Sequence, residues 1–294
     1  MTDAAGDPRD VRLEIDPDGV AVVTLARPEA RNAMRVETWR ALAEAIDDAA
    51  ALVDVRALVI TGEGAFCAGG DLRSPGSIGG GVLAATGRLQ AAHQTLRRLR
   101  MLRVPTVAAV EGYAIGIGWS IALVCDSIVA AENAYFQAPF LERALVPDGG
   151  FAWLASRAVG EAATLELLVS GRRLAADEAL RRGLAGAVVP PGAALARALE
   201  RARMLAALPA DALRLTRELV RRAATRGYDE FLADELPAVA LADGSPDRAE
   251  GLAAFVQKRT PDFRSPATAD AAARGHPVEV ARGPERGEGE AKDG

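Results

Sequence analysis

Residues 57–72 read ALVITGEGAFCAGGDL, and how that stretch is read decides the fold. Ala57–Thr61 is a short apolar run bounded by Gly62 and Gly64, the pattern of a buried strand. The chain then turns through Phe66 and Cys67 into Ala68-Gly69-Gly70-Asp71, three small residues ahead of an acid. Small residues leave backbone N–H groups bare and let them approach a ligand closely. Asp71, followed by Leu72 and Arg73, is placed to cap a short helical turn. A strand that delivers bare amides to a helical start can polarise a carbonyl or hold an anion. Gly-rich strand-to-helix corners also occur where nothing binds, so at this point both readings stand.

Outward from this corner, the pattern alternates between strands and helices. Val11–Ile15 and Val20–Leu25 flank the turn sequence Asp16-Pro17-Asp18-Gly19 and predict a hairpin. A loop, Arg27–Met34, follows, and Val36–Leu52 carries apolar residues at helical spacing. Ser74–Gly81 is Gly-rich and predicts a mobile pocket edge, followed by a helix from about Val82 to Leu102 that Pro105 ends. Thr106–Val110 predicts a strand, Trp119–Leu123 a helix and Cys125–Ala130 another strand. Beyond Pro139 helices are expected at 140–145, 150–159, 161–169 and 176–182, with Gly186–Val189 as a strand-like interruption.

The bulk numbers narrow the function classes. With 294 residues, half of them apolar and 26% charged, the chain can bury a sizeable core. A net charge of −5 argues against nucleic acid as the main partner. No apolar run reaches the ~18 residues of a membrane span, and the polar N-terminus is not a signal peptide, so the expectation is a cytoplasmic protein with no membrane partner. Cys67 and Cys125 lack metal-like spacing and read as buried free thiols. His93 and His276 are the two histidines, and neither has a Ser, Cys or Glu at a telling distance, which argues against a histidine triad or a His-rich metal site.

Five segments in order resemble the crotonase (enoyl-CoA hydratase/isomerase) superfamily, over about residues 10–263. ALVITGEGAFCAGGDL is similar to its first oxyanion-hole segment, and Glu111–Asp126, EGYAIGIGWSIALVCD, to its second. The resemblance implies a two-donor hole for a thioester oxygen, made by the Gly70 and Ile117 N–H groups beside Gly116. The third segment, Ala134–Gly160, implies Asp148 as the catalytic acid. The two positions that hold a glutamate in true hydratases are Ser120 and Phe140 here. Moving a double bond along an acyl chain needs one proton-transfer group, whereas adding water needs two. The departure therefore favours an isomerase working through Asp148, with an enoyl-CoA hydratase or a non-catalytic CoA-ester-binding protein as alternatives. An Asp148 carboxyl packed against Phe140, Phe151 and Trp153 would have a raised pKa; it could also simply cap the following helix. Glu111, Glu132 and Glu142 are expected to lie in turns or face elsewhere.

The remaining segments, Arg27–Met34 and 232–263, imply the rest of an acyl-CoA site. Arg31, Ala33 and the Ala68 carbonyl would line the adenine and pantetheine, and Arg73 would meet a CoA phosphate. Asp71, Leu72, Trp119, Ser120 and Phe140 complete the substrate contacts, and Phe255 and Lys258 would close over CoA, from a neighbouring subunit in many members. The implied fold is α/β: a ββα spiral core over residues 10–190, a C-terminal helical trimerisation region over 191–263, and a disordered tail over 264–294. The substrate is an acyl-CoA, or an acyl carrier protein in its place, with no cofactor beyond the coenzyme A of the thioester and no metal. A homotrimer or dimer of trimers is expected by the same resemblance.

Overall fold

The structure is a computed structural model and describes residues 10–73 and 81–264. The expected mobile edge at 74–81 and the tail beyond 264 therefore lie outside the described residues, apart from Gly81 at the start of a helix and Arg264. The chain divides into two units, the first ending at Ala206 and the second beginning at Ala207.

In the first unit, the strands are β1 (Val11–Ile15), β2 (Val20–Leu25), β3 (Ala57–Gly62), β4 (Thr106–Val110), β5 (Tyr113–Ile115), β6 (Ser127–Ala131), β7 (Tyr135–Gln137), β8 (Leu174–Ala175) and β9 (Ala187–Val189). Between them run helices α1 (Val36–Ala51), α2 (Gly81–Met101), α3 (Ile117–Val124), α4 (Phe151–Val159), α5 (Glu161–Ser170) and α6 (Ala176–Arg181), and α7 (Ala194–Ala206) follows. Among the described residues the main sheet has order β1-β2-β3-β4-β6-β9, antiparallel only at the β1–β2 hairpin. A second sheet has order β5-β7-β8. After β4 the chain gives β5, β7 and β8 to the second sheet and β6 and β9 to the main one, the repeated crossing between two sheets expected of a ββα spiral.

The main sheet is covered on both faces, and the strand pattern shows why. Successive side chains of a strand point to opposite faces. Leu58 and Ile60 of β3, with Ala108 and Val110 of β4, join the large core that α1, α2 and α3 cover. Val59, Val107 and Ala109 face the other way into a separate cluster with Ala194, Ala198, Ala202 and Ala206 of α7. Alanine at every fourth position makes one smooth stripe, which lets α7 lie close against the sheet. That stripe sets the unit boundary at Ala206, later than the boundary at 190 expected from the strand-rich composition. A helix whose apolar stripe fills a sheet face belongs to that sheet.

Two local expectations need correction. The segment 140–145 is not a helix. It contains a single 3-10 turn, Leu141–Arg143, ended by Ala144 at φ 54°, between Pro139 and Pro147. Pro147 disfavours helical backbone in the residue before it. Glu111 is not a solvated turn residue either: its carboxylate accepts the N–H groups of Gly192 (3.2 Å) and Ala194 (2.9 Å) and so anchors the start of α7.

The second unit comprises α8 (Ala210–Ala223), α9 (Tyr228–Asp243) and α10 (Pro246–Gln257). Asp234 of α9 pairs with Arg222 of α8 and with Arg226. Among the described residues no helix is long and apolar enough to cross a membrane.

Candidate active site

The site begins where three backbone segments meet. The loop 27–34 is knotted by Asn32, which is almost fully buried and whose amide donates to the Glu63 and Ala65 carbonyls while its oxygen accepts the Arg27 N–H. Met34 and Gly70 form a parallel bridge, with Met34 N–H donating to Gly69 O (2.8 Å) and Asp71 N–H to Met34 O (3.0 Å). Cys67 bridges Ala114, and a Cβ on Gly118 would sit 2.8 Å from the Cys67 side chain. Glycine at 118 is thus what lets α3 press onto this corner. Cys67 is a buried free thiol, as expected, and burial pushes its pKa up to about 12. Such a thiol is inert.

Gly69 has φ 96°, and a Cβ there would lie 2.8 Å from the Ile115 carbonyl. This conformation turns the next residue outward, and Gly70 is exposed. On the opposite side, Gly116 is the N-cap of α3 and Ile117 its first residue. The first N–H groups of a helix have no intrahelical acceptor. Gly70 and Ile117 therefore present their amides from a bridge and from a helix start, and both line the same cavity.

That cavity, about 480 Å³, is walled by Glu29–Arg31, Ala33, Ala68–Arg73, Ile115–Ile117, Pro139, Phe140, Arg143, Leu145 and Asp148. A second cavity of about 560 Å³ shares Gly70, Asp71, Leu72, Ile117, Leu145 and Asp148 with it and continues past Trp39, Arg35, Glu37, Arg88, Leu89 and Ala92. Gly70, Ile117 and Asp148 line both cavities.

Asp148 is held from behind. Its carbonyl accepts the Ser120 hydroxyl (3.2 Å) and the Phe151 N–H (3.0 Å), so α3 and α4 both grip its backbone. Gly149 follows at φ 60°, and a Cβ would lie 2.7 Å from Ile117 Cγ1 and 2.9 Å from Ser120 Cβ. Only glycine lets the loop press this closely on α3. The Asp148 side chain does not cap α4, which has no side-chain cap. Its Oδ1 is buried without a hydrogen-bond partner. Desolvation pushes its pKa up to about 6, against the opposing charge of His93 and its own N–H. His93, on α2, lines a separate groove with Gly149, Gly150 and Trp153. Nothing in the spacing of His93 and Asp148 along the chain marks this approach.

The other expected site residues sort as follows. Arg31, Ala33, Ala68, Asp71, Leu72, Arg73, Gly116 and Phe140 all line the first cavity. Asp71 does so as a partnered carboxylate: Arg27 reaches it with two nitrogens at 3.3 Å, and it accepts the Arg73 N–H (3.1 Å) in a local turn. Trp119 and Ser120 are buried and line neither cavity. The Trp119 indole packs on Phe136 and Phe151 (ring centroids 5.4 and 4.9 Å), because α3 is apolar on every side and sinks into the core. Phe151 is likewise core rather than pocket wall. Trp153 is exposed beneath two guanidiniums, those of Arg100 and Arg157, each 4.7 Å from its ring, and does not wall Asp148. Glu142 is exposed and pairs with Arg143, so it faces elsewhere as expected. Phe255 is exposed on α10 and Lys258 ends that helix at φ 54°, both in the second unit. Arg143, Arg88, Arg35 and Glu37, which sequence reasoning missed, also reach the cavity walls.

Two backbone amides and a desolvated carboxylate on one cavity are groups of the kind that can hold a carbonyl oxygen and move a proton. A family model described as enoyl-CoA hydratase/isomerase matches residues 16–266, and the chain belongs to that family, within the crotonase superfamily. It is 34% identical over 83% of its length to a probable enoyl-CoA hydratase of Mycobacterium bovis, covering 94% of that protein. It is 35% identical to the 1,2-epoxyphenylacetyl-CoA isomerase of Escherichia coli K12, over 83% of this chain and 95% of that one. Its fold matches the crystal structure of an enoyl-CoA hydratase from Polaromonas sp. JS666 with a TM-score of 0.80 at 34% identity, covering 86% of this chain and 99% of the other.

Proposed function

We propose that this chain is an acyl-CoA double-bond isomerase in which Asp148 moves the proton. The observation that carries the reading is the contrast in partners: Asp148 Oδ1 is buried and unpartnered, whereas Asp71, on the same two cavities, is held by Arg27. The Gly70 and Ile117 amides take the thioester oxygen of a 3-enoyl-CoA. Asp148 removes a proton from the carbon next to the thioester, and the electron pair spreads onto the oxygen held by the amides. The same carboxyl, which exchanges its proton with solvent in between, then delivers a proton two carbons further along as the double bond shifts, so no group is consumed. A carboxyl with a pKa near 6 suits both halves of that transfer. The coenzyme A of the thioester is the handle, lying along the cavity wall at Arg31, Ala33, Ala68 and Arg73; the chemistry comes from the protein itself.

The absence of glutamate at Ser120 and Phe140 supports isomerisation over hydration, since neither side chain is a carboxylate that could activate water. Hydration is the second reading, favoured by the name of the Mycobacterium bovis relative. Mass spectrometry after incubation with a trans-3-enoyl-CoA and, separately, a trans-2-enoyl-CoA decides between them. A conjugated product of unchanged mass from the first supports the isomerase; a product heavier by one water from the second moves the assignment to the hydratase. The same family reading includes self-association, which the exposed Leu236, Val239, Phe255 and Val256 of the second unit support; sedimentation equilibrium measures it.

A further inference from the structure

The two cavities that share Gly70, Ile117 and Asp148 differ in their walls. The first carries Arg31, Ala33, Ala68 and Arg73, where the reading above lays coenzyme A. The second, of about 560 Å³, is walled by Met34, Val36, Trp39, Leu89 and Ala92. Leu72, Leu145 and Val146 line the same space, and all three are exposed, Val146 by 82%. Apolar side chains gathered in this way on a concave surface mark a ligand groove, whereas single exposed ones need no explanation. The charged groups of the lining are already served by the protein. Arg35 binds the Asp10 carboxylate at 3.0 Å and has Glu37 at 3.9 Å, Arg27 holds Asp71, and Arg88 is engaged within the protein too. What this space lacks is apolar contact, not a counter-charge.

Size then narrows what can fill it. A butanoyl group has three carbons past its thioester carbonyl. At roughly the volume share of one water apiece, they take up on the order of 100 Å³. The rest of the cavity would stay as water against Trp39, Leu89 and Ala92, the contact that apolar burial removes. The geometry points to a medium- or long-chain acyl group, of about eight carbons or more, with its tail in the second cavity. This rests on the acyl-CoA reading above and gives it a substrate class by chain length. Leu89 and Ala92, both on α2, set how much tail the space accepts.

Saturated thioesters test this without any turnover, so the result does not depend on which reaction the enzyme performs. Titration calorimetry compares butanoyl-CoA, octanoyl-CoA and free coenzyme A on the full chain, on Ala92→Leu and on Leu89→Trp. In the wild type octanoyl-CoA binds on the order of 10²-fold more tightly than butanoyl-CoA, about threefold to fourfold for each added methylene. In the variants that ratio falls below about tenfold, because the larger side chain takes the space of the tail. Circular dichroism and melting profiles check that both are folded. Leu89 is half-buried, so Leu89→Trp carries the test if Ala92→Leu does not fold. A ratio near one in the wild type overturns the proposal. A ratio that the folded variants leave unchanged overturns the assignment of the tail to the second cavity. No binding of either thioester or of coenzyme A would instead strike at the acyl-CoA reading itself.

Discussion

The turn at Asp71 and the loop at Asp148 bring two carboxylates to the same pair of cavities, and their surroundings give them opposite characters. Asp71 sits on an ion-pair chain: Arg27 spans it and Asp10, and Asp10 is also bound by Arg35 and Thr38. The Asp71 carboxylate accepts from Arg27 and from the Arg73 N–H, next to Gly70. Asp148 is held only through its backbone, so its side chain meets desolvation with one buried oxygen unpaired. A desolvated carboxylate with one oxygen unpaired is destabilising where it stands, and such groups cluster at functional sites. One acid builds the wall; in the proposed reaction the other moves the proton.

The sharpest way to break this comparison is to neutralise each acid. Asp148→Asn should lower kcat/KM on the order of 10²–10⁴-fold, the usual contribution of a positioned proton-transfer group, with CoA-ester binding retained; steady-state kinetics beside calorimetry reads both. Gly149→Ala should follow, at about 10²-fold, since the added methyl meets Ile117 and Ser120 and pushes the carboxylate off its line. Normal activity in this variant would mean that the grip on the Asp148 backbone is not what positions the acid. Arg27→Met should act mainly on stability, by ~3 kcal/mol in denaturant unfolding, because Asp71 loses its arginine and Asp10 loses one of its two. A loss below ~1 kcal/mol would show the Asp71 side of the comparison to be wrong.

The smallest effect concerns pH. The folded Asp148 holds its proton up to about pH 6, while in the unfolded chain it is released near pH 4. The folded state therefore binds more protons in that window, and its stability falls as pH rises through it. Asp148→Asn should remove this fall and be more stable than the wild type by ~1–2 kcal/mol at pH 8, with no difference near pH 3.5. Activity should run the other way, rising through pH 6 as the base form appears.

What could be read in the chain ahead of the structure follows physical range. The corner at 57–72, the Gly116-Ile117 helix start and the strand pattern are local: alternation, glycine placement and turn residues fix them within a few residues. The spiral and the two amides were legible on that account, aided by the family likeness. Trp119 was misplaced because its neighbours Gly116 and Gly118 mark a ligand-facing start, whereas the helix that carries it is apolar all round and buries the indole. The segment 140–145 has helix-compatible residues, but the prolines at 139 and 147 outweigh them. Glu111 reaches α7, His93 reaches the Asp148 loop and Arg88 reaches the second cavity only through tertiary packing. Such contacts leave no periodic trace in one sequence. The partner contrast between Asp71 and Asp148 is of that kind as well, since Arg27 lies far from Asp71 along the chain.

The central claim is that Asp148 carries the proton, and isotope exchange tests it most directly. The wild type and Asp148→Asn are incubated in D₂O with a trans-3-enoyl-CoA, and deuterium in the acyl chain is read by mass spectrometry. The account predicts deuterium in the 2-enoyl product of the wild type and none above background in the variant. Equal exchange in both would contradict it and pass the proton to another group at the same two amides.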